Sequence, residues 1–498
     1  MKLEEILALP TIEERITYLK KGRKTEMPDK ERLYKDWDAN QHEIKTDKDK
    51  YPDIKITTQM EQTVFDENTG RNYTIPERTK NVEPNRIVIP LEQDIVNIHT
   101  AFTVGTEPSM ECNPEEREKG LFSALKLVLA KNKIKYQNKR IVRSWLSEQE
   151  CAEYWYAAKD EGFWRRILAK IGIKMNVQPQ YKLKSVLWSP FRGDKLYPFF
   201  DENGDMVAFS REYKRKTIKD VEITCFMVIT AQKVYNWELS TETTEWTERS
   251  FEHKFNKLPV LYCYRSEALC DKIHTIRVRL EKLISSYADC IDYHFFPILK
   301  LFGNLDPDST QMSGDVRNRI VQLTGQGANA EYLTWNQASE TVKLELESLT
   351  EKAYSMTNTP RVMPENLKGL GTSFSGVSFR YMFMGAHLAV ENHAEEIGEF
   401  MQRRVNFLVS AIASINTEFS KPAETIDIEV KIQPYMIDSQ KDKIDTAVAA
   451  IDGGVWTRRE GIIFAGNADM IEENLKEIEE DMAKEQKTTK IGFSTNKE

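Results

Sequence analysis

Hydrophobic and polar positions change period several times along the chain, and each change predicts an element. Residues 1–59 are charge-dense and nearly balanced in sign, with short helices predicted at 11–24 and 29–38, and they read as a solvated N-terminal arm. Ile87, Val88 and Ile89 read as a short strand. Leu91, Ile95, Ile98 and Phe102 then recur at helical spacing, and Gly105 and Pro108 mark the stop. A second amphipathic helix is predicted over 120–134, and the aromatic-rich stretch 151–172 reads as helical. From about 176 short runs of β-branched and aromatic residues predict strands at 181–190, 206–215 and 221–239. Glu202-Asn203-Gly204-Asp205 reads as a hairpin turn, and 257–264 closes an α+β unit.

The second half is organised differently. Between 268 and 290 there is no Pro or Gly, and Leu269, Ile273, Ile276, Leu280, Leu283 and Tyr287 alternate spacings of four and three. That is a seam for packing helix on helix, on a rod of roughly 35 Å. An insert follows, with strands predicted at 296–302 and 319–323. A second uninterrupted segment, 338–356, carries Val342, Leu346, Leu349, Ala353 and Met356 at the same spacings. Two seamed helices flanking a small β insert predict a stalk with a head. The stretch 360–376, with two prolines and three glycines, predicts a loop. A Pro-free helical pattern capped by Ser375 then runs for roughly 60 Å, with Gly385 and Gly398 as bend points. Residues 425–434 alternate as a half-buried strand. Residues 438–486 are helical again around a Gly453-Gly454 turn, and 487–498 are expected to be disordered.

Composition narrows the function. Over 498 residues the formal net charge is -8, with 70 basic and 78 acidic side chains, so a tight grip on nucleic acid is not expected. Six scattered cysteines form no CxxC pair and read as thiols of a reducing cytoplasm. No window has the apolar length of a membrane span, and none near the N-terminus resembles a signal peptide. Gly369–Gly376 lacks the Gly-Lys-Ser/Thr of a phosphate loop. His387 and His393 are six apart, on different helix faces, and the acidic run 473–485 reads as a solvated face. The expectation is a protein without catalysis, metal or cofactor.

Three stretches then carry a resemblance: 85–108, 257–267 and, most strongly, Ser373–Val405 with its Ser-Gly-hydrophobic helix start. Together, and in their order, they resemble the portal proteins of long-tailed (siphovirus-type) bacteriophages and prophages. The resemblance implies a largely helical α+β portal fold with wing, stem, clip and crown. On this chain it places the arm at 1–59, the wing at 60–266, stem helices at 267–290 and 337–357, and the clip at 291–336. The tunnel loop falls at 358–374, the long helix and returning wing strand at 375–437, and the crown at 438–486. Trp456-Thr457-Arg458-Arg459 departs from the Ser-centred turn of the family's crown, and the wing is unusually aromatic.

The resemblance also implies a homo-oligomeric ring, usually a dodecamer, at one vertex of a virion capsid and assembled in the host bacterial cytoplasm. Double-stranded DNA would pass through it during packaging and ejection, without sequence readout. Partners would be the terminase large subunit, the head–tail adaptor and the major capsid or scaffolding protein, with no membrane. Another structural head–tail connector or virion ring protein is the alternative. In the loop, Arg361 and Lys368 are the basic side chains, and Asn358, Thr359, Asn366 and Thr372 offer weaker phosphate contacts. Glu340, Glu347 and Glu351 are candidates to line a repulsive bore, or equally to face outward. Stem packing is assigned to Leu269, Ile273, Ile276, Leu280, Leu283, Val342, Leu346 and Leu349.

Overall fold

The computed structural model describes residues 2–59, 61–66, 70–160, 180–218, 220–242, 245–294, 298–302, 311–313, 320–322, 329–333, 339–361, 383–435, 440–464 and 475. In chain order its helices are α1 Leu3–Leu7, α2 Ile12–Lys21, α3 Lys30–Trp37, α4 Glu43–Thr46, α5 Leu91–Val104, α6 Lys119–Lys131 and α7 Ile134–Glu148. They continue with α8 His274–His294, α9 Ser339–Met356, α10 Met384–Ile415, α11 Ser420–Thr425, α12 Gln440–Asp452 and α13 Arg458–Phe464. The strands of the first half are β1 Ile54–Gln59, β2 Gln62–Asp66, β3 Arg71–Ile75, β4 Arg78–Val82, β5 Ser109–Glu111, β6 Glu150–Asp160, β7 Gln180–Trp188, β8 Lys195–Phe200 and β9 Met206–Lys216. The others are β10 Glu222–Thr230, β11 Lys233–Ser240, β12 Thr247–Glu252, β13 Val260–Tyr264, β14 Ile298–Phe302, β15 Gln311–Ser313, β16 Ile320–Gln322, β17 Asn329–Leu333 and β18 Glu429–Lys431. The fold is α+β with antiparallel sheets. It divides into one unit of residues 1–359 with 388–434, and another of 360–387 with 435–498.

In the larger unit a five-stranded meander runs in the order β12-β11-β10-β9-β8, and a three-stranded sheet in the order β13-β6-β7. Its main core gathers Leu91, Ile95, Leu121, Leu125, Ile141, Trp145, Ile397, Phe400 and Leu408 from several helices. The turn at 201–205 joins β8 to β9, with Gly204 at φ 93 supplying the left-handed residue.

Four expectations are corrected here. Residues 1–59 are no solvated arm: Ile6, Ile16 and Leu19 pack on Tyr197, Phe199 and Phe226 of the five-stranded sheet. Their apolar residues are too few per short helix to stand out against the surrounding charge. Residues 151–160 are strand, not helix, and β6 pairs on both edges, with β13 and β7. Cys151 to Trp155 are all buried, so the alternation that marks a half-exposed strand is absent. The remainder of that predicted helix, 161–172, lies outside the described residues.

The expected strand at Ile87–Ile89 pairs with no strand among the described residues. It is an extended segment laid along α8. The Asn85 N–H donates to Asp289 Oδ1 at 2.8 Å, the Ile87 N–H to Ser285 Oγ at 2.9 Å and the Ile89 N–H to Glu281 Oε1 at 3.0 Å. Two extended residues rise about 6.6 Å and one four-residue helical step about 6 Å, so the two ladders stay in register. Leu269 precedes α8 instead of sitting on it, and a 3-10 turn at Asp271–Ile273 leads in.

Elsewhere the boundaries shift. The helix expected at 120–134 ends at Lys131; Lys133 adopts φ 53 and α7 begins at once. The strand expected over 425–434 narrows to β18, paired with β5. Of the insert, β14 and β16 fall where strands were expected, but each pairs with another strand, β17 and β15 respectively. Ser375 lies outside the described residues, as do 487–498.

In the smaller unit α12 ends in a left-handed turn at Gly454, φ 71, where the Val455 N–H reaches back to Ala450 O at 2.9 Å. Thr457 then caps α13: its N–H donates to Glu460 Oε2 at 2.7 Å, and its Oγ1 accepts from the Glu460 N–H at 3.3 Å. That reciprocal cap occupies the Trp456–Arg459 turn. Gly461 lets the two helices close, since a Cβ there would come within 2.5 Å of Ile451 Cδ1.

Candidate functional site: the helix pair and the root of the loop

The outgoing helix α8 and returning helix α9 lie side by side and antiparallel. Residues 266–269 and Lys272, just before α8, line one cleft with Met356, Thr357 and Asn358 at the end of α9. Further along, the Arg279 guanidinium pairs with Glu345 at 2.8 Å. The strands at 298–302, 311–313, 320–322 and 329–333 belong to the segment that joins their far ends.

The seam is more polar than its spacing suggests. On α8 the buried stripe is Arg277, Leu280, Glu281 and Ser285, continued from Ile273 in the 3-10 turn before it, while Ile276 and Leu283 are half-buried. On α9, Ala353 and Tyr354 are buried, Val342, Leu346 and Leu349 are half-buried, and Met356 is exposed. Glu340, Glu347 and Glu351 share the exposed side of α9, with Glu347 facing Lys343 at 3.9 Å.

Arg277, only 1% exposed, organises the base of α8. Its Nε donates to Glu92 Oε1 at 2.6 Å, one Nη to Glu281 Oε2 at 3.2 Å and the other to Asp36 Oδ1 at 2.6 Å. Glu281 also lies 2.6 Å from His42 Nδ1. Burial pushes the Glu92 carboxyl up to about 6 against the pull of Arg277. A hydrogen bond to Asp36 at 3.0 Å raises His274. No spacing rule picks Arg277 from the sequence, because an arginine in a heptad-like helix reads as surface.

The loop root is equally fixed. Asn358 takes φ 53 and its N–H donates to Ser355 O at 3.1 Å, while the Thr359 N–H reaches Tyr354 O at 2.8 Å. These two bonds form a Schellman end, with Asn in place of the usual Gly. The Thr359 hydroxyl, buried, sits 2.9 Å from His99 Nε2 and 2.7 Å from Thr357 Oγ1, and His99 Nδ1 lies 3.2 Å from His393 Nε2. Trp145 stands edge-on to His393 with ring centres 5.3 Å apart. Burial lowers His99 to about 4; burial and then the neighbouring His99 lower His393 to about 3. Both imidazoles are therefore neutral over the ordinary pH range.

This corrects one expectation: Thr359 is an interior anchor for the loop, not a phosphate contact. Asn358 is exposed, and Arg361 is described in the other unit. Asn366, Lys368 and Thr372 lie outside the described residues. Among the described residues no group of His, Cys, Asp or Glu converges as metal ligands, and no helix is long and apolar enough to cross a membrane.

Comparison with known proteins gives one family match, "Phage portal protein, SPP1 Gp6-like", over residues 16–488. The curated proteins give no significant match. Among solved structures, a chain of the "Virion of native gene transfer agent (GTA) particle" is similar at 10% identity, over 76% of this chain and 88% of that one, with a TM-score of 0.36.

Proposed function

Because the chain belongs to the SPP1 Gp6-like family of phage portal proteins over residues 16–488, we propose that its copies close into a ring, twelve in number, at one vertex of the capsid. Duplex DNA passes through the ring during packaging and ejection. The observation that supports this reading is the antiparallel α8–α9 pair, which carries a β-containing insert and then passes directly into an anchored loop.

We assign the parts from the family resemblance. The wing takes residues 60–266 and also 2–59, whose helices share a core with the five-stranded sheet. Segments 267–290 and 337–357 form the stem, 291–336 the clip, 358–374 the tunnel loop and 438–486 the crown. The clip docks the terminase large subunit during filling and the head–tail adaptor afterwards. The wing faces the major capsid or scaffolding protein.

DNA has to slide, so the lining holds few cations. Glu340, Glu347 and Glu351 repel phosphates, and a net charge of -8 agrees with that. Arg361 and Lys368 give each copy two shallow positive points, helped by Asn358, Asn366 and Thr372, without base readout. No chemical step is assigned to the chain, and ATP hydrolysis falls to the separate motor. Replacing Arg361 and Lys368 together by Ala is expected to leave ring assembly intact and to lower DNA retained in filled heads severalfold, measured by nuclease protection. Wild-type retention, or loss of folding, contradicts this role for the loop.

A further inference from the structure

A cleft of about 450 Å³ opens between α6, the β7 strand and the end of α10. Its floor is apolar and partly open to solvent: Leu127 is 53% exposed, Tyr181 46% and Ile415 45%. Its rim carries Lys131, Lys133 and Lys184, and among the described residues no Asp or Glu lines it. The chain as a whole is acidic, so three lysines on one apolar cleft run against its net charge.

Side-chain hydrogen bonds brace one end of the cleft. The Asn132 side-chain Nδ2 donates to Val128 O at 2.9 Å on the preceding helix and to Leu183 O at 2.9 Å on β7, which pins the end of α6 to the strand. Lys133, at φ 53, ends α6 and turns the chain into α7, so the rim lysines sit on braced backbone. Lysines on a sheet edge also deter strand pairing, but edge protection alone needs no apolar floor beside it.

We propose that this cleft docks an acidic protein segment: a helix carrying apolar residues at four–three spacing and carboxylates elsewhere. The apolar row would fill the floor and the carboxylates would meet the lysine rim, the helix-in-groove mode of peptide recognition. A nucleic acid satisfies the lysines but leaves the floor unfilled. An uncharged apolar segment leaves the rim unmatched. The proposal concerns the wing-side surface and does not depend on the ring or the loop.

The test uses the full-length protein and a fluorescein-labelled helical peptide of Leu and Glu, about five turns long, read by anisotropy. Saturable binding is expected, weakened about tenfold by Lys131→Glu with Lys184→Glu and about tenfold by Leu127→Ser. Circular dichroism and melting of the variants should match the parent. Three results overturn the proposal: binding unchanged by all the variants, equal binding of a Ser/Glu peptide lacking the apolar row, or equal and mutually competitive binding of a duplex DNA of similar length. A failure here with intact rings in electron micrographs separates it from failure of the portal reading.

Discussion

At the residue scale, the most consequential groups are polar side chains with no room for water. His99 and His393 are held neutral, at about 4 and about 3, where a free imidazole titrates near 6.5. A histidine whose folded value is depressed keeps its full contribution above its free value and loses it as pH falls toward the folded one. Glu92 works the other way: raised to about 6 from 4.5, it takes up its proton first in the folded chain, so acidification through that window relieves it. The two histidines contribute a loss, on the order of a few kcal/mol, between about pH 6.5 and pH 4, while Glu92, with Glu148, Glu150 and Glu396 raised likewise by burial, acts in the opposite sense. Melting temperature followed from about pH 8 to pH 4 should carry the histidines' loss. In His99→Gln with His393→Gln it should begin lower and fall less steeply; parallel profiles would assign the acid sensitivity elsewhere. None of this was legible in the sequence. The two histidines are 294 residues apart and meet only because α5 and α10 pack on one core.

At the element scale, α8 is set by side-chain bonds as much as by its seam. Arg277 ties it to α5 through Glu92 and to α3 through Asp36, and Glu281, Ser285 and Asp289 receive the amides of the 85–89 segment. Removing one member of a buried ionic network strands its partners without water, a loss of about 3–5 kcal/mol. Arg277→Ala is expected to lose stability of that order in denaturant unfolding, whereas Arg279→Ala, at the exposed Glu345 pair, should lose less than about 1 kcal/mol. Similar losses at both positions would contradict the network's role.

The helix pair was legible because its apolar residues recur at four and three without Pro or Gly. The polar half of its contact was not, because Arg277, Glu281 and Ser285 look like surface until their partners are placed. The same physics explains the strand at 151–160. A strand covered on both faces loses its period, and its aromatic and small residues fit a helix equally well. The break at Lys133 had no Gly or Pro to announce it, since Lys there takes a left-handed conformation usually left to Gly or Asn.

At the scale of the whole molecule, order along the chain carries more than any single motif. A helix, a β-containing insert, a returning helix and a chain pinned at Thr359 follow one another in that order. The acidic net charge and the exposed carboxylates of α9 suit a passage that duplex DNA crosses without stopping. Most of the loop's DNA-facing candidates lie beyond Arg361, so their role rests on their chemistry and their place after the Schellman end. Electron microscopy of the purified protein at micromolar concentration tests the central claim most directly. Closed rings with a central hole, with the α8–α9 pairs of neighbouring copies arranged around it, are the predicted result; a compact monomer at every concentration would contradict it.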